Sequence, residues 1–191
     1  MKLFHLSDLH IGKRVNEFSM IEDQKYILKR ILDLAEEEKP DGIILAGDIY
    51  DKQIPSAEAV QVFDEFITRL AGRAIPVFII SGNHDSAERL AFGGRLLNSR
   101  GIYLSPVYDG SVTKIPLKDQ YGTVWIHLLP FIRPSTVRHV FENEADLVTD
   151  VQTAAETVIR HMEIDLKDRN ILVAHQFVTG ASRCESEDVQ V

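Results

Sequence analysis

The sequence contains one cysteine, Cys184, in 191 residues, so no disulfide can form within the chain. No thiolate set is available for a structural zinc ion either. No stretch reaches the roughly 18 consecutive apolar residues of a membrane helix. The start, MKLFHLSDLH, interrupts its apolar run with charged and polar residues; it is poor material for a secretory signal and reads as a first strand. An excess of positive charge is also missing. Lys and Arg number 21 against 29 Asp and Glu, a formal net charge of −8, which weighs against a broad basic surface for nucleic acid. It does not exclude a nuclease whose metal ions bring positive charge to the site. Internal repeats and low-complexity linkers are absent. With 45% apolar and 26% charged residues, the composition is that of one globular domain, expected in a reducing compartment and hence in the cytoplasm.

Apolar runs of strand length alternate with helical periodicity. Lys2–Leu6, Gly42–Ala46 and Ile75–Ile80 read as strands, and Asn170–Ala174 as another buried one. Between them, Met20, Ile27, Leu28, Ile31, Leu34 and Ala35 mark a helix that Lys39-Pro40 ends. Ser56 is placed to cap a second helix with Val60, Phe63, Ile67 and Leu70 along its stripe. Residues 87–98 read as a helix weakened by Gly93-Gly94, and Val151–Met162 as an amphipathic helix after Thr149-Asp150. Shorter strands are expected at Ile102–Leu104, Ser111–Ile115 and Thr123–Leu128, and an irregular polar tail from Arg183. The βαβαβ opening predicts an α/β domain, a mostly parallel sheet with helices on both faces.

Each apolar strand leads straight into a polar cluster: Ser7-Asp8-Leu9-His10, Gly47-Asp48-Ile49-Tyr50-Asp51, Gly82-Asn83-His84-Asp85 and Ala174-His175-Gln176. Ligands of open α/β sheets gather beyond the carboxyl ends of the strands, so these side chains are expected in one place. Asp, His and Asn there suit a pair of divalent ions that hold a phosphate and acidify a water. A carboxylate serves both ions, and imidazole and amide oxygen complete the shells of manganese, iron or zinc. An Asp after a strand is also a common helix cap, and a strand-end His such as His175 is often only a packed residue. The agreement of all four clusters is what carries the metal reading.

D-x-H, G-D-x-x-D, G-N-H-D and a later strand ending in His resemble the calcineurin-type metallophosphoesterase superfamily, which implies a layered sheet sandwich with helices on its outer faces. Carried over, the resemblance has Asp8 and His10 bind the first metal, Asp48 bridge both, and Asn83 and His175 bind the second. His84 would act on the transition state or the leaving oxygen, with Asp85 orienting it by accepting its other N–H. The stretches LSDLHIGKR, LAGDIYDKQIPSAEAV, SGNHDSAERL, LPFIRPS and AHQFVTGASRCESE are similar to the SbcD family of nuclease subunits over essentially the whole chain. That similarity implies a manganese-dependent 3′–5′ double-strand exonuclease and single-strand endonuclease for DNA ends, single strands and hairpins. It also implies a homodimer working with an SbcC-type, SMC-like ATPase in DNA repair, recombination and replication. The superfamily's last motif, G-H-x-H, does not occur in the sequence, nor does a capping domain, so residues 1–191 are expected to be the first part of a longer protein. A phosphatase on the same scaffold, or an inactive dimerising module, are the competing readings.

Other residues read more plainly. His5 and His127 are expected packed or hydrogen-bonded in strands, and His139 and His161 on helix surfaces. Asp51 caps or bonds within the site, and Glu36-Glu37-Glu38 is a solvated helix end. Lys13-Arg14 and Arg133 are surface residues within possible reach of phosphate. Residues 60–70 and 90–97 carry apolar surface that the resemblance assigns to the dimer contact.

Overall fold

The computed structural model describes residues 1–176. Its elements in chain order begin with β1 (Leu3–Leu6), a hairpin of β2 (Arg14–Val15) and β3 (Phe18–Ser19), α1 (Ile21–Glu38) and β4 (Gly42–Ala46). Next come α2 (Ala57–Ala71), β5 (Val77–Ile80), the short helices α3 (Ala87–Leu90) and α4 (Gly94–Asn98), and β6 (Ile102–Leu104). Then β7 (Thr113–Asp119), β8 (Gly122–Leu128), α5 (Pro134–Val140), a 3-10 turn at Glu142–Leu147, α6 (Val151–His161) and β9 (Arg169–Val173) complete the described chain.

Four strands form a parallel sheet in the order β1-β4-β5-β6, and three form a second sheet in the order β7-β8-β9. The first sheet is buried on two faces for different reasons. Ile43, Leu45, Val77 and Ile79 pack with Leu28, Leu32 and Ala35 of α1 and Phe63, Phe66 and Leu70 of α2. Their alternates Ile44, Ala46, Phe78 and Ile80 pack against Val124, Ile126 and Leu128 of β8 and Val173 of β9. The expectation of helices on both faces of the parallel sheet is therefore corrected: α1 and α2 cover one face and the second sheet covers the other. The layered sandwich implied by the resemblance is what forms. Strands β4 and β5 are continuous apolar runs because alternate side chains enter two different cores. A third cluster, with Leu129, Val137 and Val158, lies beneath α5 and α6.

Several local readings shift by one helical step. Ile27, Leu34 and Val60 are exposed by 51%, 43% and 43%, while Ile21, Leu32, Val62 and Phe66 are buried. A residue next to a buried one lies about 100° round the helix, so an apolar neighbour readily falls outside the stripe. Gly93, at φ 75°, splits residues 87–98 into α3 and α4. The strand expected at Ser111–Ile115 runs on through Pro116 to Asp119 as a hairpin with β8. Strand β9 is not the buried strand expected: of its residues only Val173 is buried, because it pairs only with β8 among the described residues. Ser56 caps α2 as anticipated, its Oγ accepting the Ala59 N–H at 3.2 Å, and Asp150 and Thr153 form a capping box at the start of α6 that the sequence reading did not name. The polar tail and Cys184 lie outside the described residues.

Candidate metal centre

Strands β1 and β4 run parallel, and their pairing continues past the strand ends. Asp8 N–H reaches Gly47 O at 3.2 Å, His10 N–H reaches Asp48 O at 2.9 Å, and Ile11 N–H reaches Ile49 O at 2.9 Å. To keep these bonds while the side chains turn inward, Asp8, His10 and Asp48 take φ of 58°, 41° and 51°. Left-handed backbone at three non-glycine residues is costly and collects at functional sites. The strain is held from α1: Gln24 Nε2 donates to Leu9 O at 3.1 Å and His10 O at 2.7 Å, and its Oε1 accepts the Gly12 N–H at 2.9 Å. Two glycines make room. A Cβ on Gly82 would lie 2.1 Å from Asp48 Oδ1, and one on Gly47 would lie 2.6 Å from the His175 ring.

The four clusters converge as predicted on one cleft of about 310 Å³, lined by Asp8, His10, Asp48, Asn83, His84 and His175. Asp48 is 3% exposed and sits at its centre. Its Oδ2 lies 3.6 Å from His10 Nε2 and 3.5 Å from His175 Nε2, and its Oδ1 accepts the His84 main-chain N–H at 2.9 Å. His10 Nε2 also faces Asp8 Oδ1 at 3.7 Å, and His175 Nε2 faces Asn83 Oδ1 at 3.2 Å. Two three-residue groups of possible ligand atoms result, His10–Asp48–His84 and Asp8–Asp48–His175. Asp48 is the carboxylate common to both. Asp8 belongs to the second group and also faces His10 Nε2 at 3.7 Å, the pairing that the resemblance implies.

The donor set fits divalent cations. His175 Nδ1 lies 2.7 Å from Ala46 O. A carbonyl only accepts, so Nδ1 carries a hydrogen; Nε2 faces Asp48 and Asn83, donating to Asp48 when the ring is protonated and offering its lone pair to a cation when it is neutral. Oxygen and imidazole donors facing one another at these separations leave space for an ion with bonds of about 2.0–2.2 Å. Burial opposes the charge of Asp48, but hydrogen bonds from His175 and the His84 N–H outweigh it and hold its carboxyl below the usual carboxylate range. Burial likewise opposes charge on His175, and the hydrogen bond and charge of Asp48 override it, raising that imidazole.

One role is corrected. Asp85 does not accept from the His84 ring; its carboxylate takes the main-chain N–H groups of Ile49 at 3.0 Å, Tyr50 at 2.9 Å and Gly82 at 2.9 Å. It ties the loop after β4 to the loop after β5, and burial pushes its carboxyl upward against the pull of those three bonds. The His84 ring is instead oriented by Nδ1 at 3.0 Å from the main-chain oxygen of Asp51, and it meets the His10 ring edge-on at 4.8 Å. A backbone carbonyl acting as the orienting group leaves no signature in sequence. Gln24 escapes sequence reading for a related reason, since a polar residue in the first turns of a helix reads as solvated.

The remaining histidines divide. His127 is buried and pairs with Asn170 Oδ1 at 2.9 Å, as expected. His139 and His161 are exposed on α5 and α6. His5, expected packed or bonded, is exposed and lines the cleft beside Lys13.

This chain belongs to the calcineurin-like phosphoesterase family, whose model matches residues 1–190. Within that class it is 33% identical over 190 residues to the SbcD subunit of nuclease SbcCD from Staphylococcus saprophyticus subsp. saprophyticus, covering 98% of this chain and 49% of the relative. It is 35% identical over 190 residues to the corresponding SbcD subunit from Staphylococcus epidermidis, with the same two coverages of 98% and 49%. The chain thus spans about half the length of the curated relatives it matches. Among solved structures, the phosphoesterase Yfce from E. coli matches 67% of this chain and 56% of its own at 16% identity and a TM-score of 0.34.

Proposed function

We propose that the chain is the catalytic domain of a DNA nuclease subunit, a manganese-dependent phosphodiesterase that removes nucleotides 3′–5′ from duplex ends and cuts single strands. The observation that carries this reading is the convergence of His10, Asp48, His84 and His175 from four strand ends within one cleft. Similarity to two nuclease subunits over 98% of the chain supports the substrate class.

Asp8, His10, Asp48, Asn83 and His175 would hold two divalent ions, manganese being the proposed pair. When bound, the ions supply positive charge to the phosphoryl oxygens and acidity to a water. The residues do the rest. Asp48 and the Ala46 carbonyl fix the ring of His175. The Asp51 carbonyl keeps the hydrogen of His84 on Nδ1, so Nε2 is the ring nitrogen that holds or releases a proton at the departing 3′ oxygen. Asp85 keeps Asp48 and His84 in register by joining their loops.

Work as a homodimer with an SbcC-type ATPase, in the cytoplasm and in DNA repair, recombination and replication, belongs to the same proposal. Phe92 and Leu96 are 86% and 78% exposed on α3–α4, an apolar surface of the kind a partner copy covers. No described helix is long and apolar enough to cross a membrane.

The test is manganese-dependent release of nucleotides from an end-labelled linear duplex, run on this chain and on a form extended to the length of the curated relatives it matches. Release by either supports the proposal. Release by neither, while both hydrolyse bis(p-nitrophenyl) phosphate, moves the substrate to another phosphodiester.

A further inference from the structure

Of the three imidazoles at the centre of the cleft, one has a ring nitrogen without a partner. His175 Nδ1 and His84 Nδ1 face main-chain oxygens at 2.7 Å and 3.0 Å, whereas His10 Nδ1 is buried and makes no hydrogen bond among the described residues. A buried polar atom ordinarily has a partner. The carboxylate that faces it belongs to Asp51, whose Oδ1 lies 3.8 Å from His10 Nδ1, just outside hydrogen-bond contact.

The backbone holds Asp51 in this place. Its N–H donates to Ile11 O at 3.2 Å, and Ile11 pairs with Tyr50 where the β1–β4 pairing runs on past the strand ends. The main chain of Asp51 is thus tied to the residue that follows His10. Its carboxylate is left uncommitted. An Asp that enters a turn ordinarily takes a main-chain N–H two residues on, but no donor reaches the Asp51 side chain within hydrogen-bond distance among the described residues. That side chain lines the cleft and is 20% exposed, so packing does not lock it.

The chemistry of the His10 ring fixes what Nδ1 needs. Nε2 faces Asp8 Oδ1 at 3.7 Å and Asp48 Oδ2 at 3.6 Å, so it is the nitrogen turned toward the other ligand atoms. A ring nitrogen that binds a cation uses its lone pair, which leaves the hydrogen of a neutral ring on the other nitrogen. Metal-bound histidines almost always pass that hydrogen to a carboxylate, a carbonyl or a water. Asp51 lies outside both three-residue groups of possible ligand atoms, which leaves its carboxylate for the ring.

We propose that Asp51 is the positioning residue for His10: its carboxylate accepts the Nδ1 hydrogen, sets the orientation of the ring and strengthens Nε2 as a donor to a cation. The inference rests on reading the cleft as a site for two divalent ions. One residue then steers two rings with different groups, His84 through its carbonyl and His10 through its carboxylate. Only the second of these depends on residue 51 being Asp.

The experiment is calorimetric titration with manganese of Asp51→Ala and Asp51→Asn, made in whichever binds the ion of this chain and the form extended to the length of its curated relatives. Asp51→Ala is expected to bind manganese about 10–100-fold more weakly, the range for losing a carboxylate that orients a metal-bound histidine. Asp51→Asn keeps an acceptor oxygen and should recover most of that loss. Proton NMR of the same proteins, with isotope-labelled histidine and zinc as a diamagnetic probe, reads the bond itself. The His10 Nδ1–H signal is expected in the unaltered protein and in Asp51→Asn and should vanish in Asp51→Ala. The His84 Nδ1–H signal should persist in all three, because its carbonyl acceptor survives the substitution. Unaltered manganese affinity in Asp51→Ala, or weakened binding with the His10 signal intact, overturns the proposal. Failure of both unaltered forms to bind manganese removes instead the two-ion reading on which it rests.

Discussion

The side-chain amide of Gln24 lies 2.7 Å from the main-chain oxygen of His10, joining α1 to a loop fourteen positions earlier. Together with its bonds to Leu9 O and the Gly12 N–H, this places every polar atom of the Gln24 side chain on the segment that presents Asp8 and His10. Those two residues sit at positive φ, so the loop holds its shape only while something restrains it.

Gln24→Ala is therefore expected to weaken manganese binding about tenfold, the lower end for losing a group that orients a metal ligand. Titration calorimetry of the metal-free chain checks it. A Gln24→Ala variant with unaltered affinity would show that the loop is self-supporting.

Gly82 and Gly101 separate crowding from backbone strain. A Cβ at Gly82 would meet Asp48 Oδ1 at 2.1 Å, whereas one at Gly101, at φ 79°, would meet nothing within 4 Å. Gly101→Ala should cost about 1 kcal/mol, the penalty of left-handed backbone alone. Gly82→Ala should cost more than that and also displace Asp48. Urea unfolding of both variants, with manganese titration beside it, checks the order; equal stability losses would contradict it.

The strands and their polar ends were legible because they depend on contiguous residues. Gly42–Ala46 announces a buried strand, and Gly47-Asp48 announces its turn into the site. What covers each sheet face was not legible. The unbroken apolar runs of β4 and β5 say that both faces are buried, but only the fold shows Ile43 under helices and Ile44 against β8. The residues that meet in the cleft were legible where the side chain itself reaches it, as for Asp8, His10, Asp48 and His175. The orientation of His84 was not, since Asp51 supplies it through a carbonyl that any residue possesses, and Asp85 serves main-chain donors instead.

The Asp48–His175 pair gives the metal-free chain a pH signature. Asp48 is lowered in the fold, so its contribution is present above its unfolded value near 4 and is lost as pH falls through the folded one. His175 is raised, so its contribution is complete below about 6.5 and is lost as pH rises through its folded value. The thermal midpoint without metal should therefore decline as pH rises above about 6.5, and Asp48→Asn should flatten that decline. Protons and metal compete for His175, so manganese affinity should rise over the same range. Calorimetric melts across pH, with and without chelator, test both; a midpoint that climbs with pH in the metal-free chain would refute the pairing.

His84 divides binding from chemistry. Its Nδ1 is committed to the Asp51 carbonyl at 3.0 Å, so a substitution that removes the ring takes away Nε2 while leaving Asp8, His10, Asp48, Asn83 and His175 in place. The His84 main-chain N–H that bonds Asp48 survives any side-chain change, which protects the centre of the site. His84→Ala is thus expected to keep manganese affinity within about threefold while lowering hydrolysis by about 10²–10⁴, the range for loss of a positioned proton donor. The loss should be smaller for bis(p-nitrophenyl) phosphate than for DNA, because nitrophenolate departs without needing a proton and a 3′ alkoxide does not. If both substrates slowed equally with metal binding intact, His84 would be steadying the phosphoryl group and not protonating the leaving oxygen.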